Sequence, residues 1–497
     1  MNNSALIMVI STFNKSEIRD FTRFVNSPFF NGRKETALFW GVVKKFYPDF
    51  SGKNFTAEFI FQKVYPERLF DIAEIRRLSS YTLKLAEKYL SYRGLKNDPF
   101  YFDLSLSIQY AELGLLSRSQ KQLEATDSKY SAKKGDYEFY FWKRYLIERH
   151  KNSLYSYKGN DHLASESIIT RTDMFSYHTA AVMCKSMISL FINEKNFNTD
   201  YTNSDFYHMV RIFDLDKYIN SLAEKNSEYY PELAAEYYQA MALVEPGNEN
   251  YYRKFKEVLD GNMNMFTHLE KINFYSIFEA VCTLKIENGE EGFAGDLFDA
   301  YRRMLAEGLY SYHAGGEFIL RIFRNIVHMA VLLKQYDWLE TFIGVYTQKL
   351  PVDSQRNMQN LADALLFFEK AQFGESLDKL NRIDYQLFHY KIDIKNLQLK
   401  LYYELEYYEE LISAVDSYRH FILNNKYISQ RYRMLCSGFV NFLIKLNKLR
   451  TDEYSSENCR FIKNEIEASK GYLFKQWLLE KADALIIQID KNKKGRS

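Results

Sequence analysis

The sequence predicts an all-α protein, with a small N-terminal helical bundle followed by an α-solenoid of helix pairs. Three observations carry this. Gly numbers 20 and Pro 7 in 497 residues, which leaves few breakers and favours long helices over a turn-rich β architecture. Apolar residues recur at helical spacing in segment after segment. Between Phe323 and Leu423, three short helix pairs share one beat, an aromatic that opens the second helix: Tyr336 to Leu339 (YDWL), Phe373 to Ser376 (FGES) and Tyr408 to Leu411 (YEEL). These aromatics lie 37 and 35 residues apart. That is close to the period of a helix–turn–helix repeat, about 34 residues.

The first 97 residues have the clearest punctuation. Asn14 and Glu17 form a capping-box start, Ile18, Phe21, Phe24 and Val25 share one face, and Pro28 stops the helix. A second helix is expected from Arg33 to Tyr47 and a third from Thr56 to Val64. The fourth begins at Asp71 with Glu74 as a second capping pair, and its buried stripe is Ile75, Leu78, Thr82, Leu85 and Tyr89. Asn97-Asp98-Pro99 marks a boundary, so residues 1–97 read as a bundle.

Residues 98–316 read as helical, with degenerate helix pairs or a separate irregular helical region as the alternatives. Expected helices include Asp136–Tyr155, Glu166–Glu194 and a single helix Asp205–Lys225. Tyr155 to Asp161 is expected as an exposed loop, while Leu113 to Ser117 and Asn288 to Phe293 look like helix-pair turns. Residues 317–450 hold the regular pairs. Residues 451–497 are expected to supply one long helix, Asn458 to Ile489, that covers the open end of the solenoid, and then a short basic tail.

Asn360 to Asn381, together with Leu397 to Leu423, resembles the tetratricopeptide (TPR) repeat superfamily. Phe373 and Tyr408 stand where that family has the aromatic of its second helix, and Ser376 where it has a small residue; Leu339 and Leu411 are larger than the family's residue there. The resemblance spans residues 323–423. It implies a TPR-like α-solenoid of antiparallel helix pairs that binds peptides or other proteins.

Aromatics make up 17% of the chain, an excess that fits either packing between helices with a codon bias or a stacking surface. The net charge is +2, yet residues 1–97 hold 16 Lys/Arg against 9 Asp/Glu, so a basic head precedes a mildly acidic body. Cys184, Cys282, Cys436 and Cys459 lack metal-ligand spacing and read as buried apolar residues in a reducing compartment. The run Ala5 to Ile10 is too short for a signal peptide, and no window reaches the roughly 20 apolar residues of a membrane span. A cytoplasmic protein without membrane insertion is expected.

The motif search predicts no catalytic set, no cofactor and no metal ligands. Gly52-Lys53-Asn54 lacks the rest of a P-loop, and Gly289, Gly292 and Gly295 miss the dinucleotide spacing. His328, among Ile326, Val327, Met329 and Ala330, reads as a satisfied core histidine, and His313 beside Gly315 as a residue at a helix boundary. Arg76, Arg77, Lys84 and Lys88 share the outer face of the fourth helix and are the candidate nucleic-acid contacts, set against an ordinary solvated face. Two functions follow. The first is a non-catalytic scaffold that binds a protein or peptide in the groove of its first helices. The second is a regulator whose basic bundle binds nucleic acid.

Overall fold

The computed structural model describes residues 4–494 except 133–136, 198, 262, 288, 291, 314, 385–387, 426–427, 452–455 and 470–472. Among the described residues there are 24 α-helices, three short 3-10 turns and no strand. Residues 1–132 with 143–172 make one compact unit, and residues 133–142 with 173–497 a second.

The first unit begins with α1 (Ala5–Ile10), α2 (Lys15–Asn26), α3 (Lys34–Val43), α4 (Ala57–Val64) and α5 (Ile72–Asn97). Asn14 and Glu17 form the expected capping box on α2. The expected partner of Asp71 does otherwise: Asp71 caps the Ala73 amide, while the Glu74 carboxylate takes Arg77. One core joins all five helices. At its centre Phe21 meets Trp40 edge-on at 4.8 Å, and the Trp40 indole N–H donates to Thr22 Oγ1 at 3.0 Å. α1 was not foreseen, because six residues are too few to show a helical period.

Asp98 caps α6 (Pro99–Glu112), so the expected boundary is a helix break inside this unit. α7 (Leu116–Tyr130) folds back on α6. α8 (Tyr137–Tyr157) and α9 (Asp161–Phe197) follow, each divided between the units. The expected loop Tyr155 to Asp161 is a tight turn around Gly159, whose φ is +66°.

The second unit continues with α10 (Asp205–Ile212), α11 (Leu215–Glu224), α12 (Tyr230–Val244), α13 (Glu249–Gly261), α14 (His268–Glu287) and α15 (Phe293–Ala306). The single helix expected over Asp205–Lys225 is two, because Asp214 leaves the helix and caps the Lys217 amide. Next come α16 (Leu320–Leu332), α17 (Tyr336–Tyr346), α18 (Val352–Glu369), α19 (Phe373–Asn381), α20 (Phe388–Glu404) and α21 (Tyr408–Asn424). α22 (Gln430–Thr451), α23 (Ser456–Ala468) and α24 (Lys475–Lys494) complete it. The long terminal helix expected over 458–489 is thus also two, interrupted where Phe474 takes φ +59° just before α24.

One turn recurs. Lys334, Ala371 and Glu406 have φ near +55 to +59°, each two residues before the aromatic that opens α17, α19 or α21. In each, the amide one residue later bonds back to a carbonyl five residues earlier: Gln335 to Ala330, Gln372 to Phe367 and Tyr407 to Tyr402. This is the left-handed helix ending that glycine favours. Gly114, Gly159, Gly289 and Gly308 make the same turn after α6, α8, α14 and α15.

A second feature recurs within the pairs. Ser376, the fourth residue of α19, is fully buried and donates to the Ala364 carbonyl of α18 at 2.6 Å. Ser119, the fourth residue of α7, donates likewise to the Ser107 carbonyl of α6 at 2.8 Å, again twelve residues back. These two pairs pack more closely than α16–α17 and α20–α21, where Leu339 and Leu411 hold that position. A small residue lets two helix backbones approach; a leucine holds them apart.

Ala371 is exposed, so its methyl group contributes strain without packing. Ala371→Gly is expected to stabilise the chain by about 0.5 to 1 kcal/mol in urea unfolding, whereas Ala364→Gly, inside α18, is expected to destabilise it.

Candidate interaction surface

The four cations singled out in the sequence lie exposed on α5. Arg77 is committed to Glu74, with Nη2 2.6 Å from Oε2. All four cysteines are free and buried, and burial pushes the Cys282 thiol up to about 12 and the Cys436 thiol up to about 11. Such thiols are not nucleophiles at neutral pH. Gly289 lies in the α14–α15 turn, and His313 lends its backbone carbonyl to Ser311 and Gly316.

The structure gathers other residues. Arg324 of α16 crosses to Asp393 of α20 as a two-pronged ion pair: Nη2 donates to Oδ1 at 2.6 Å and Nε donates to Oδ2. His328 is half-buried, its Nε2 3.6 Å from Asp393 Oδ2, so it faces a carboxylate instead of lying satisfied in the core. Burial alone would raise the Asp393 carboxyl, but His328 and Arg324 outweigh it and hold the group well below the usual carboxylate range. Arg324 Nη1 also donates to Asn325 Oδ1 at 2.7 Å, and Asn325 donates to Glu279 of α14. Glu279 in turn takes Arg321 at 2.8 Å. A further ion pair, Arg431 with Glu287, ties α22 to α14. These contacts tie α16 to α20 and both α16 and α22 to α14.

Further along α20, Lys400 lies seven residues after Asp393 and two helical turns on, hence on the same side. It is buried under aromatic rings: its Nζ is 4.0 Å from the centre of Phe368, 4.9 Å from Phe474 and 5.6 Å from Trp477. Burial pushes its ammonium down to about 8, against the nearby carboxylates of Glu369 and Glu404. Trp477, on α24, stands 5.4 Å from the Tyr403 ring and packs on the cluster of Ala364, Phe368, Leu380, Leu397 and Leu401. Its indole N–H donates to Glu404 Oε1 at 2.9 Å, and Lys481 pairs with the same oxygen at 2.5 Å. The last helix was expected to cover the open end; through Trp477 it contacts α20 and the end of α18.

In the first unit Ser107, Ser119 and His150 come together, with Nε2 3.0 Å from Ser107 Oγ. A serine beside a histidine is the geometry of a nucleophile and its base. Here Ser107 is fully buried and its hydroxyl donates to the Ser119 carbonyl, so the group fastens α6 to α7. Burial also lowers His150. Among the described residues no three His, Cys, Asp or Glu side chains are placed to hold a metal, and no helix is long and apolar enough to cross a membrane.

No family model, no curated protein and no solved structure matches the chain.

Removing one partner of a buried pair strands the other. Asp393→Asn is expected to cost about 3 kcal/mol in urea unfolding, while the double change Arg324→Met with Asp393→Leu costs far less than the two single losses combined. Lys400 gives a pH dependence. Between about 8 and its ordinary 10.5 the unfolded lysine keeps a proton that the folded one has lost, so this group makes stability rise with pH across that window. Lys400→Met is expected to remove that rise and to stabilise the chain at pH 7 by roughly 1 to 3 kcal/mol, the desolvation penalty less the lost ring contacts. Parallel stability-against-pH curves for the two proteins would contradict this origin.

Proposed function

We propose that the chain is a non-catalytic interaction scaffold, a TPR-like α-solenoid of antiparallel helix pairs whose first helices offer an inner face to a protein or peptide. The observation that carries the reading is that this face already accommodates a helix. Phe474, just before α24, and Trp477 and Lys481 on one edge of it fill the face with rings, an indole hydrogen bond and an ion pair. A helix seated in a groove through anchors on successive turns is a common mode of peptide recognition. The shared turns at Lys334, Ala371 and Glu406 support the solenoid part of the reading, since one turn geometry repeated along a chain stacks its helix pairs in one way.

The nucleic-acid reading keeps only Arg76, Lys84 and Lys88, because Arg77 is held by Glu74. Capture of the tagged full-length protein from its own cells, with and without nuclease, separates the two. A protein partner is expected to survive nuclease treatment and the triple change of Arg76, Lys84 and Lys88 to Glu. Recovery of nucleic acid that this triple change abolishes would overturn the scaffold reading, as would recovery of no partner.

A further inference from the structure

We propose that the inner face at the C-terminal turns of α18 and α20 docks an amphipathic helix bearing two aromatics three residues apart and a cation four residues further on. Phe474, Trp477 and Lys481 are the chain's own stand-in for that partner. The proposal rests on the scaffold reading and names the ligand class of that surface.

The stand-in defines the chemistry. Trp477 enters a recess walled by Phe368, Leu397, Leu401 and Tyr403, and its N–H meets Glu404, which also receives Lys481. The face therefore offers an apolar slot ending in a carboxylate, with Glu369 nearby. An indole and a cation on adjacent turns satisfy both features at once. An acidic helix would bring its charge against Glu404, and a purely aliphatic one would leave that carboxylate without its donors.

The stand-in also occupies the face under strain. Phe474 precedes α24 with φ +59°, a left-handed backbone that bulky side chains rarely adopt, and it is the residue whose ring closes over Lys400 from the outer edge. Backbone held in that region by its surroundings is a feature of binding and switching segments. The closure buries the Lys400 ammonium beneath rings. A separate helix carrying the same residue types competes for the face with Phe474 and the first turns of α24. The remainder of α24 stays packed on α22 and α23.

The test uses full-length protein and, as probe, a fluorescein-labelled synthetic peptide of residues 473–494. Anisotropy is expected to show weak binding to the unaltered protein, where the face is filled. Binding to the Lys481→Glu protein, whose own segment is repelled by Glu404, should be about tenfold tighter or more. A peptide with Trp477→Ala should lose that gain. The Glu404→Lys protein should reject the unaltered peptide and accept a Lys481→Glu peptide, a reversal that a misfolded variant would not produce. Binding that is absent throughout, or indifferent to Trp477 and to the charge reversal, overturns the proposal. If capture still yields a nuclease-resistant protein partner in that case, the scaffold reading stands and its partner uses another surface; if no partner is captured, the scaffold reading has failed as well.

Discussion

The second unit is tied together by a charge pair whose carboxylate water barely reaches. Asp393 and Arg324 lie 69 residues apart on α20 and α16, and their two parallel bonds leave little freedom in the angle at which those helices face each other. A buried pair of this kind adds less to net stability than its short distances suggest, since both ions give up hydration. Its effect is on specificity. Any arrangement of the helices that separates the two groups leaves an unpaired charge out of water, so competing packings are penalised more than the native one is favoured. With Asn325, Glu279 and Arg321 continuing the network to α14, polar geometry sets how α14, α16 and α20 meet, while the apolar clusters supply the bulk of the burial.

Within the pairs the constraints are local. A left-handed residue ends the first helix and reverses the chain, and the fourth residue of the second helix decides how near the two backbones come. Where that residue is Ser119 or Ser376, its hydroxyl bonds the opposing backbone and the helices close up. The α6–α7 pair in the first unit and the α18–α19 pair in the second thus obey one rule of construction, each within its own unit.

The all-helical fold was legible in the sequence because its signals are local: the Asn14 cap with Glu17, Pro99 opening α6, and the Tyr336, Phe373 and Tyr408 beat. Breaks were less so. Apolar spacing runs on from Met209 and Ile212 to Ile219, and only the Asp214 side chain, by capping Lys217, reveals that the helix restarts. The turn residues Lys334 and Glu406 carry no mark of a left-handed backbone, since neither is Gly or Asn. The candidate surface was not legible. Lys400 between Leu399 and Leu401 reads as an ordinary solvated lysine, and the rings that cover it come from residues 368, 474 and 477. The basic face of α5 was legible as a pattern, but its ion pair at Glu74 was read as a cap.

What links these parts is that α24 packs Trp477 against the ends of α18 and α20. In the proposed reading those contacts also withhold this surface from a partner, so folding and recognition would draw on one set of side chains. Hydrogen exchange by mass spectrometry on full-length Trp477→Ala tests this most directly. The account predicts faster exchange in peptides covering residues 365–369 and 397–404, the ends of α18 and α20, with residues 15–97 unchanged. Exchange that changes only within residues 473–494 would contradict it, because α24 would then be an appendage that α18 and α20 do not feel.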